Sequence, residues 1–242
     1  MKSKPSTLPA SAGSDGPVST GPGPGVPASG GPIDFRLAQE VLRDSLRQGM
    51  LDAATRLLVE EGPSALTVRR VAEAVNCSTT LLYSFFGGKD GLSNELYLEA
   101  CARLKGELEA VRGADARQEA DDGLATIRAH ARAYHQFAKR NPSYYMVLFG
   151  DAIAGFVPPV ESRKTGRESL TVVEEAFARC MRDGVLPPSN PTTAARLLWA
   201  AMHGVISLEL KGFYLKTERA DELFDTAVDA VLLALRSGLT KK

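Results

Sequence analysis

The sequence predicts an all-α fold, and three observations predict it. From Asp34 onward apolar residues recur at spacings of three and four. No run alternates apolar and polar residues with the β-branched enrichment of a strand. Capping hydroxyls, a Gly-Pro pair and an Asn-Pro pair punctuate the chain where helices have to begin and end. With 242 residues, 44% of them hydrophobic and 24% charged, such helices can bury a substantial core.

The elements follow in order. Residues 1–34 hold half of the 14 prolines among Gly, Ser and Ala, so this tail has too little apolar surface to offset its ordering entropy and is expected to be disordered. Leu46, Met50, Ala53 and Leu57 mark a first helix that Gly62-Pro63 ends. Thr67 caps a short helix over 68–75, and Ser78 caps another over 79–86. A longer helix starts near Lys89 or Asp90 and runs to about Arg112. The next covers roughly 116–140 and stops at Asn141-Pro142, because proline lacks a backbone donor and disfavours helix before it. Helices over 143–149, 161–182, 192–211 and 219–236 complete a set of about nine.

Composition narrows the function classes. The formal net charge is zero, so a nucleic-acid partner would have to be met by a local patch. Cys77, Cys101 and Cys180 are far apart with no CxxC pair, which fits a reducing cytoplasm and neither a disulfide framework nor a zinc site. No apolar run approaches the roughly 18 residues of a membrane span, and no hydrophobic segment follows Lys2 and Lys4, so no membrane partner and no secretory signal is expected. His130 and His135 have no carboxylate or cysteine at ligand spacing beside them, so no metal and no cofactor is expected. No Ser-His-Asp order or phosphate loop supports an enzyme.

The two short helices carry the functional signal. Two helices joined by a tight turn make a helix-turn-helix unit, whose second helix enters the DNA major groove. Val71, Ala72 and Val75 form the inner face of the first helix, and Leu82 with Phe86 that of the second. Ser78, Thr79 and Thr80 then stand at the front of the second helix, where short hydroxyls reach phosphates or base edges. Tyr83 shares the face of Thr79 and Thr80, Gly87 and Gly88 allow a sharp turn, and Lys89 follows at the start of the next helix. With Thr67, Arg69 and Ser84 these residues are the candidate DNA contacts. On spacing alone, a buried helical hairpin with a solvated lysine fits as well. Arg69, Arg70 and Lys89 against Glu73 make the local surface positive, while charges on the first helix cancel the excess, so few phosphate contacts and a shallow salt dependence are expected.

Ser78 to Phe86 followed by Gly87 to Leu92 resembles the recognition-helix signature of TetR-family transcriptional regulators, with Thr67 and Val71-Ala72 at the family's capping threonine and isoleucine-alanine pair. The likeness covers roughly residues 45–92. Cys77, Asn76 and Phe85 depart from its usual valine, glycine and histidine or tyrosine. The resemblance implies a DNA-binding domain over 35–88 and a helical effector-binding and dimerisation domain over 89–242. It also implies a homodimeric repressor that a small-molecule effector releases from a palindromic operator in double-stranded DNA. An activator of the same family, or a helical protein-binding adaptor, are the alternatives.

Tyr134, Phe137, Tyr145, Phe149, Phe177, Trp199, Met202 and His203 are the candidate effector-pocket residues, plain core being the alternative for each. Trp199, His203 and Gly204 form a WxxxHG arrangement that resembles a subgroup of the family, although His203 can equally fix helix packing through a hydrogen bond. Leu198, Ala201, Val205 and Leu208 on one helix, with Phe224, Val228, Val231 and Leu235 on the next, make apolar stripes widened by Leu197, Leu232 and Leu233. The resemblance assigns these stripes to a four-helix dimer interface.

Overall fold

The structure, a computed structural model, describes residues 34–115, 124–150, 153, 155–214 and 217–238. Helices α1 (Phe35–Glu60), α2 (Val68–Ala74), α3 (Thr79–Phe86), α4 (Lys89–Asp115) and α5 (Ala125–Arg140) are followed by α6 (Pro142–Phe149), α7 (Val160–Glu168), α8 (Thr171–Arg182), α9 (Pro191–Leu210) and α10 (Thr217–Arg236). A single 3-10 turn, Pro63–Ala65, joins α1 to α2, and no strand occurs among the described residues, so the fold is all-α. By its contacts the chain divides into a short unit ending at Leu42 and a main unit from Arg43 onward. In the first, the Asp34 carboxylate accepts from the N–H groups of Arg36 (3.0 Å) and Leu37 (3.2 Å), capping α1. The rest of the predicted tail lies outside the described residues.

In the main unit local signals set the helix ends. Pro142 occupies the first turn of α6, and Pro191 that of α9, where Asn190 Oδ1 accepts from Thr193 N–H at 3.0 Å. Two elements differ from expectation. The helix expected over 116–140 is described only from Ala125, residues 116–123 lying outside the described set. The helix expected over 161–182 is two helices, α7 and α8, parted at Ser169 and Leu170. Both residues keep right-handed helical angles, so no Gly or Pro marks the break. Ser169 is instead buried, and its hydroxyl donates to the Cys101 carbonyl at 3.3 Å on α4.

The core runs along α4. Leu92, Leu96, Ala100, Leu104 and Leu108 recur every four residues and are each at most 2% exposed. Around this stripe pack α5, α6, α7 and α8, while α9 and α10 pack on each other. At its front end, Met50, Leu51, Ala54 and Leu57 of α1 join Val71, Ala72, Leu82 and Phe86 in the same core. Arg47 pairs with Glu95, and Gln48 Nε2 donates to Glu99 Oε1 at 3.3 Å, so polar ties reinforce the α1–α4 packing.

The stripes expected at a subunit interface turn out differently. Leu198, Val205, Phe224, Val228 and Leu235 are buried within this one chain, and Ala201 and Val231 half-buried; of that set only Leu208 is exposed. Helical period shows that a helix has an apolar face, but here the strongest face of each helix closes against its own neighbours. The outer sides of α9 and α10 then leave Leu197 (42% exposed), Leu208 (44%), Leu223 (42%) and Leu233 (69%) in solvent, interspersed with exposed Ala200, Gly204 and Ala230.

Candidate DNA-reading helix and effector cavity

The helix-turn-helix is built by capping. Thr67 Oγ1 accepts from Arg70 N–H at 3.1 Å and Ser78 Oγ from Leu81 N–H at 3.2 Å, each opening its helix. Between them Asn76 takes a left-handed φ of 53°, and the Cys77 N–H donates to the Ala72 carbonyl at 2.9 Å. Leu82 and Phe86 are buried against α2 and the core, which turns Thr79, Thr80 and Tyr83 outward. The hydroxyls of these three have no protein partner among the described residues, so they are available to a nucleic acid. Ser84 is exposed, yet its hydroxyl donates to the Leu81 carbonyl at 2.7 Å and is turned back on its own helix. Gly87 closes α3 in the left-handed conformation with φ 71°. A Cβ at Gly91 would run into the Phe86 carbonyl oxygen. Only glycine there lets α4 begin hard against the end of α3, and so fixes Lys89 beside the recognition helix.

Ion pairs reduce the free charge of this face. Arg69 Nε lies 3.0 Å from Glu73 Oε1, and Arg70 is held doubly by Glu61, with Nε 3.0 Å from Oε2. The Arg70 hydrogen bond holds the Glu61 carboxyl below its usual range, and the same bond raises the guanidinium. Lys89, exposed, has no ion pair among the described residues. Phe85, half-buried, stands under the Arg43 guanidinium, 4.7 Å from its ring centroid. At this position an aromatic ring ties α3 to α1.

Behind this module, five of the expected pocket residues meet. Phe149 packs on Tyr145 (5.0 Å between centroids), His203 (5.4 Å), Trp199 (5.7 Å) and Tyr134 (6.1 Å). Hydrogen bonds run through the same group. Trp199 Nε1–H donates to Tyr134 Oη at 2.9 Å, Tyr134 makes a longer 3.4 Å bond to Tyr145 Oη, and Tyr145 Oη is hydrogen-bonded to His203 Nδ1 at 2.6 Å. Burial pushes Tyr134 well above its usual range and Tyr145 up to about 12. Burial, then the charge of Lys211, lowers His203. All members are therefore neutral near pH 7, and the chain is satisfied from within. Met202 adjoins it, sharing with Tyr134 and Trp199 a void of only about 10 Å³, about the least that holds one water. Phe137 and Phe177 are fully buried core and take no part in the cluster.

An effector-sized space opens on the far side of Phe149 and Trp199. This cavity of about 310 Å³ is walled by Tyr97, Cys101 and Leu104 of α4, Leu148 and Phe149 of α6, and Ala195 and Trp199 of α9. Arg163 and Arg167 of α7 and Arg196 of α9 also line it. Burial raises Tyr97 to about 12 and Cys101 to about 11, so both walls are neutral. Helix α7 lies tightly on α4: Ser162 Oγ donates to Asn94 Oδ1 at 2.7 Å, and a Cβ at Gly166 would strike Tyr97 Oη. Sequence reasoning passed over Tyr97, Cys101 and the three arginines. The i, i+4 spacing of Arg163 and Arg167 was a usable signal, but nothing along the chain joins Arg196 to them.

His135, which has no carboxylate at ligand spacing along the sequence, has acidic company from distant helices. Its Nε2 lies 3.0 Å from Glu209 Oε2 and 3.8 Å from Asp221 Oδ1, and its ring stacks on Phe224 at 4.1 Å. Lys139 Nζ already meets the same Asp221 oxygen at 2.7 Å, so a hydrogen-bonded imidazole and one ion pair together knit α5, α9 and α10.

Comparison with known proteins agrees with this architecture. The family profile described as bacterial regulatory proteins, tetR family, matches residues 50–96, and that described as tetracyclin repressor-like, C-terminal domain, matches residues 127–231. The HTH-type transcriptional regulator Rv1816 of Mycobacterium tuberculosis is 23% identical over 212 residues, covering 77% of this chain and 88% of that protein. The crystal structure of SCO4313 superposes with a TM-score of 0.66 at 26% identity, over 80% of this chain and 98% of that one. AibR, in its complex with isovaleryl coenzyme A and operator DNA, shares the fold with a TM-score of 0.55 at 17% identity, over 75% of this chain and 95% of its own. With both the helix-turn-helix and the helical domain behind it matched, this chain belongs to the TetR family of transcriptional regulators.

Proposed function

We propose that this protein is a homodimeric repressor that leaves a palindromic operator when a small molecule enters the helical domain. Its DNA-binding domain spans 35–88 and its effector and dimerisation domain 89–242, and it works in the cytoplasm beside its DNA. One observation carries the reading: α4 is a continuous helix whose first residue, Lys89, adjoins the recognition helix and whose Tyr97 and Cys101 wall the cavity. Lys89 and Tyr97 are about 12 Å apart along that helix. A Cβ at Gly91 would strike the Phe86 carbonyl, so α4 starts close against α3 and a tilt of α4 is passed to the recognition helix. A ligand that prefers the tilted arrangement changes the separation of the two recognition helices, and releases DNA only by as much as that preference.

In this reading Thr79, Thr80 and Tyr83 contact the groove and Lys89 a phosphate. Dimerisation uses the outer sides of α9 and α10, through Leu197, Leu208, Leu223 and Leu233, and sets the two reading helices about 34–36 Å apart to match successive major grooves. AibR, a protein of this fold in complex with a small molecule and operator DNA together, supports pairing the two activities in one chain. The test is selection of bound sequences from random DNA in low salt without added small molecules. Enrichment of a palindrome with half-sites one helical turn apart is expected. No enrichment of any sequence overturns the reading.

A further inference from the structure

Among the described residues Arg47, Arg69, Arg70, Arg103, Arg128 and Arg140 each pair with a carboxylate. Arg163, Arg167 and Arg196 are all exposed, none forms an ion pair among the described residues, and all three converge on one cavity. The lining offers them a single opposite charge, Glu174. Below them the walls are apolar, with Leu104, Leu148, Phe149 and Trp199, and the two titratable groups there, Tyr97 and Cys101, are held neutral.

We infer that the effector of this cavity is an amphipathic anion, whose acyl tail of medium length lies among Leu104, Leu148, Phe149 and Trp199 and whose carboxylate or phosphate sits against Arg163, Arg167 and Arg196. The inference rests on the effector reading above and gives that effector a chemical class. Guanidinium groups pair with carboxylate and phosphate in bidentate, charge-assisted bonds, and a cation would instead meet like charge on three sides. A neutral tail alone would leave the arginines unmatched. The volume, about 310 Å³, lies at the small end of ligand cavities, which run from about 300 to 1,000 Å³, so the tail is of medium length. The headgroup also explains how binding reaches DNA. Arg163 and Arg167 ride on α7, which is fastened to α4 by the Ser162–Asn94 bond and the close approach of Gly166 to Tyr97. Drawing α7 toward an anion therefore loads the helix that begins at Lys89.

Trp199, the chain's one tryptophan, lines the cavity and reports on it. The experiment titrates its fluorescence with decanoate, decanoyl coenzyme A, 1-decanol and decyltrimethylammonium, below micelle-forming concentrations. At least one of the two anions is expected to bind tighter than the alcohol by about tenfold or more, the worth of a charge-assisted bond, with the cation weakest. Decanoate in front identifies a free carboxylate, and decanoyl coenzyme A a phosphate-bearing headgroup. The combined Arg163→Gln, Arg167→Gln, Arg196→Gln variant, checked for an unchanged melting curve, should bind both anions no better than 1-decanol. If it keeps the preference, if the alcohol matches both anions, or if no probe binds, the assignment is overturned. Operator retention, measured in parallel, separates the two claims. Anions that bind without releasing operator sink the regulatory reading alone, and a neutral compound that shifts Trp199 and releases operator sinks the anion class alone.

Discussion

Tyr145 Oη lies 2.6 Å from His203 Nδ1, and this hydrogen bond fastens α6 to α9 in the middle of the helical domain. It ends a chain of donors that starts at Trp199 Nε1 and passes through Tyr134. The bond gives His203 a packing contact within the chain. Its bond partner stands 58 positions away in the sequence, beyond the reach of any motif.

Replacing Tyr145 by Phe removes the hydroxyl that meets His203 Nδ1 and leaves Tyr134 with one partner fewer. Because Tyr145 is buried, the loss is expected to cost about 1–3 kcal/mol of stability. Urea denaturation of wild type and Tyr145→Phe, followed by Trp199 fluorescence, measures it. An unchanged midpoint contradicts the role assigned to the bond.

His203 also predicts a direction of pH dependence. Its folded pKa is depressed, first by burial and then by Lys211, relative to an unfolded value of about 6.5. As pH falls through 6.5 the unfolded chain binds a proton before the folded one does, so the contribution to stability is complete above 6.5 and is lost on the way down to the folded value. Urea midpoints measured from pH 7.5 to 5 should fall more steeply for wild type than for His203→Gln. Equal slopes would remove His203 as the source.

On the DNA side, Arg69 and Arg70 are engaged by Glu73 and Glu61, which leaves Lys89 as the principal free cation. Lys89→Ala should weaken binding to every sequence alike and lower the salt slope by about one unit. Thr80→Ala should instead alter sequence preference, by about 1–3 kcal/mol at the base it reads. Binding-site selection repeated with each variant distinguishes the two behaviours. A Thr80→Ala selection identical to wild type would exclude base reading by Thr80.

The proposed dimer face can be tested with a paired control. Leu197→Glu with Leu233→Glu places charge on exposed positions of α9 and α10, and sedimentation should then show folded monomers. Val228→Glu, by contrast, buries a carboxylate inside one chain and should lower the melting temperature whatever the oligomeric state. A folded, intact dimer from the double variant would move the interface elsewhere.

The helix ends and the recognition helix could be read from the sequence because their determinants are local. Thr67 and Ser78 cap their own next turns, Asn76 bends its own backbone, and Gly87 closes the helix it follows. Each acts within about four residues, the range over which a motif has meaning. What lay beyond reach was set by pairs far apart in the chain. At the α7–α8 break Ser169 meets Cys101, the aromatic relay joins Tyr145 to His203, and the cationic cavity brings Arg196 to Arg163 and Arg167. The apolar stripes of α9 and α10 show the same division. Periodicity established that α9 and α10 are apolar on one side, but only packing decided that Val205 and Val228 close inward while Leu208 and Leu233 stay outside, because which face is buried depends on what the rest of the chain lays against it.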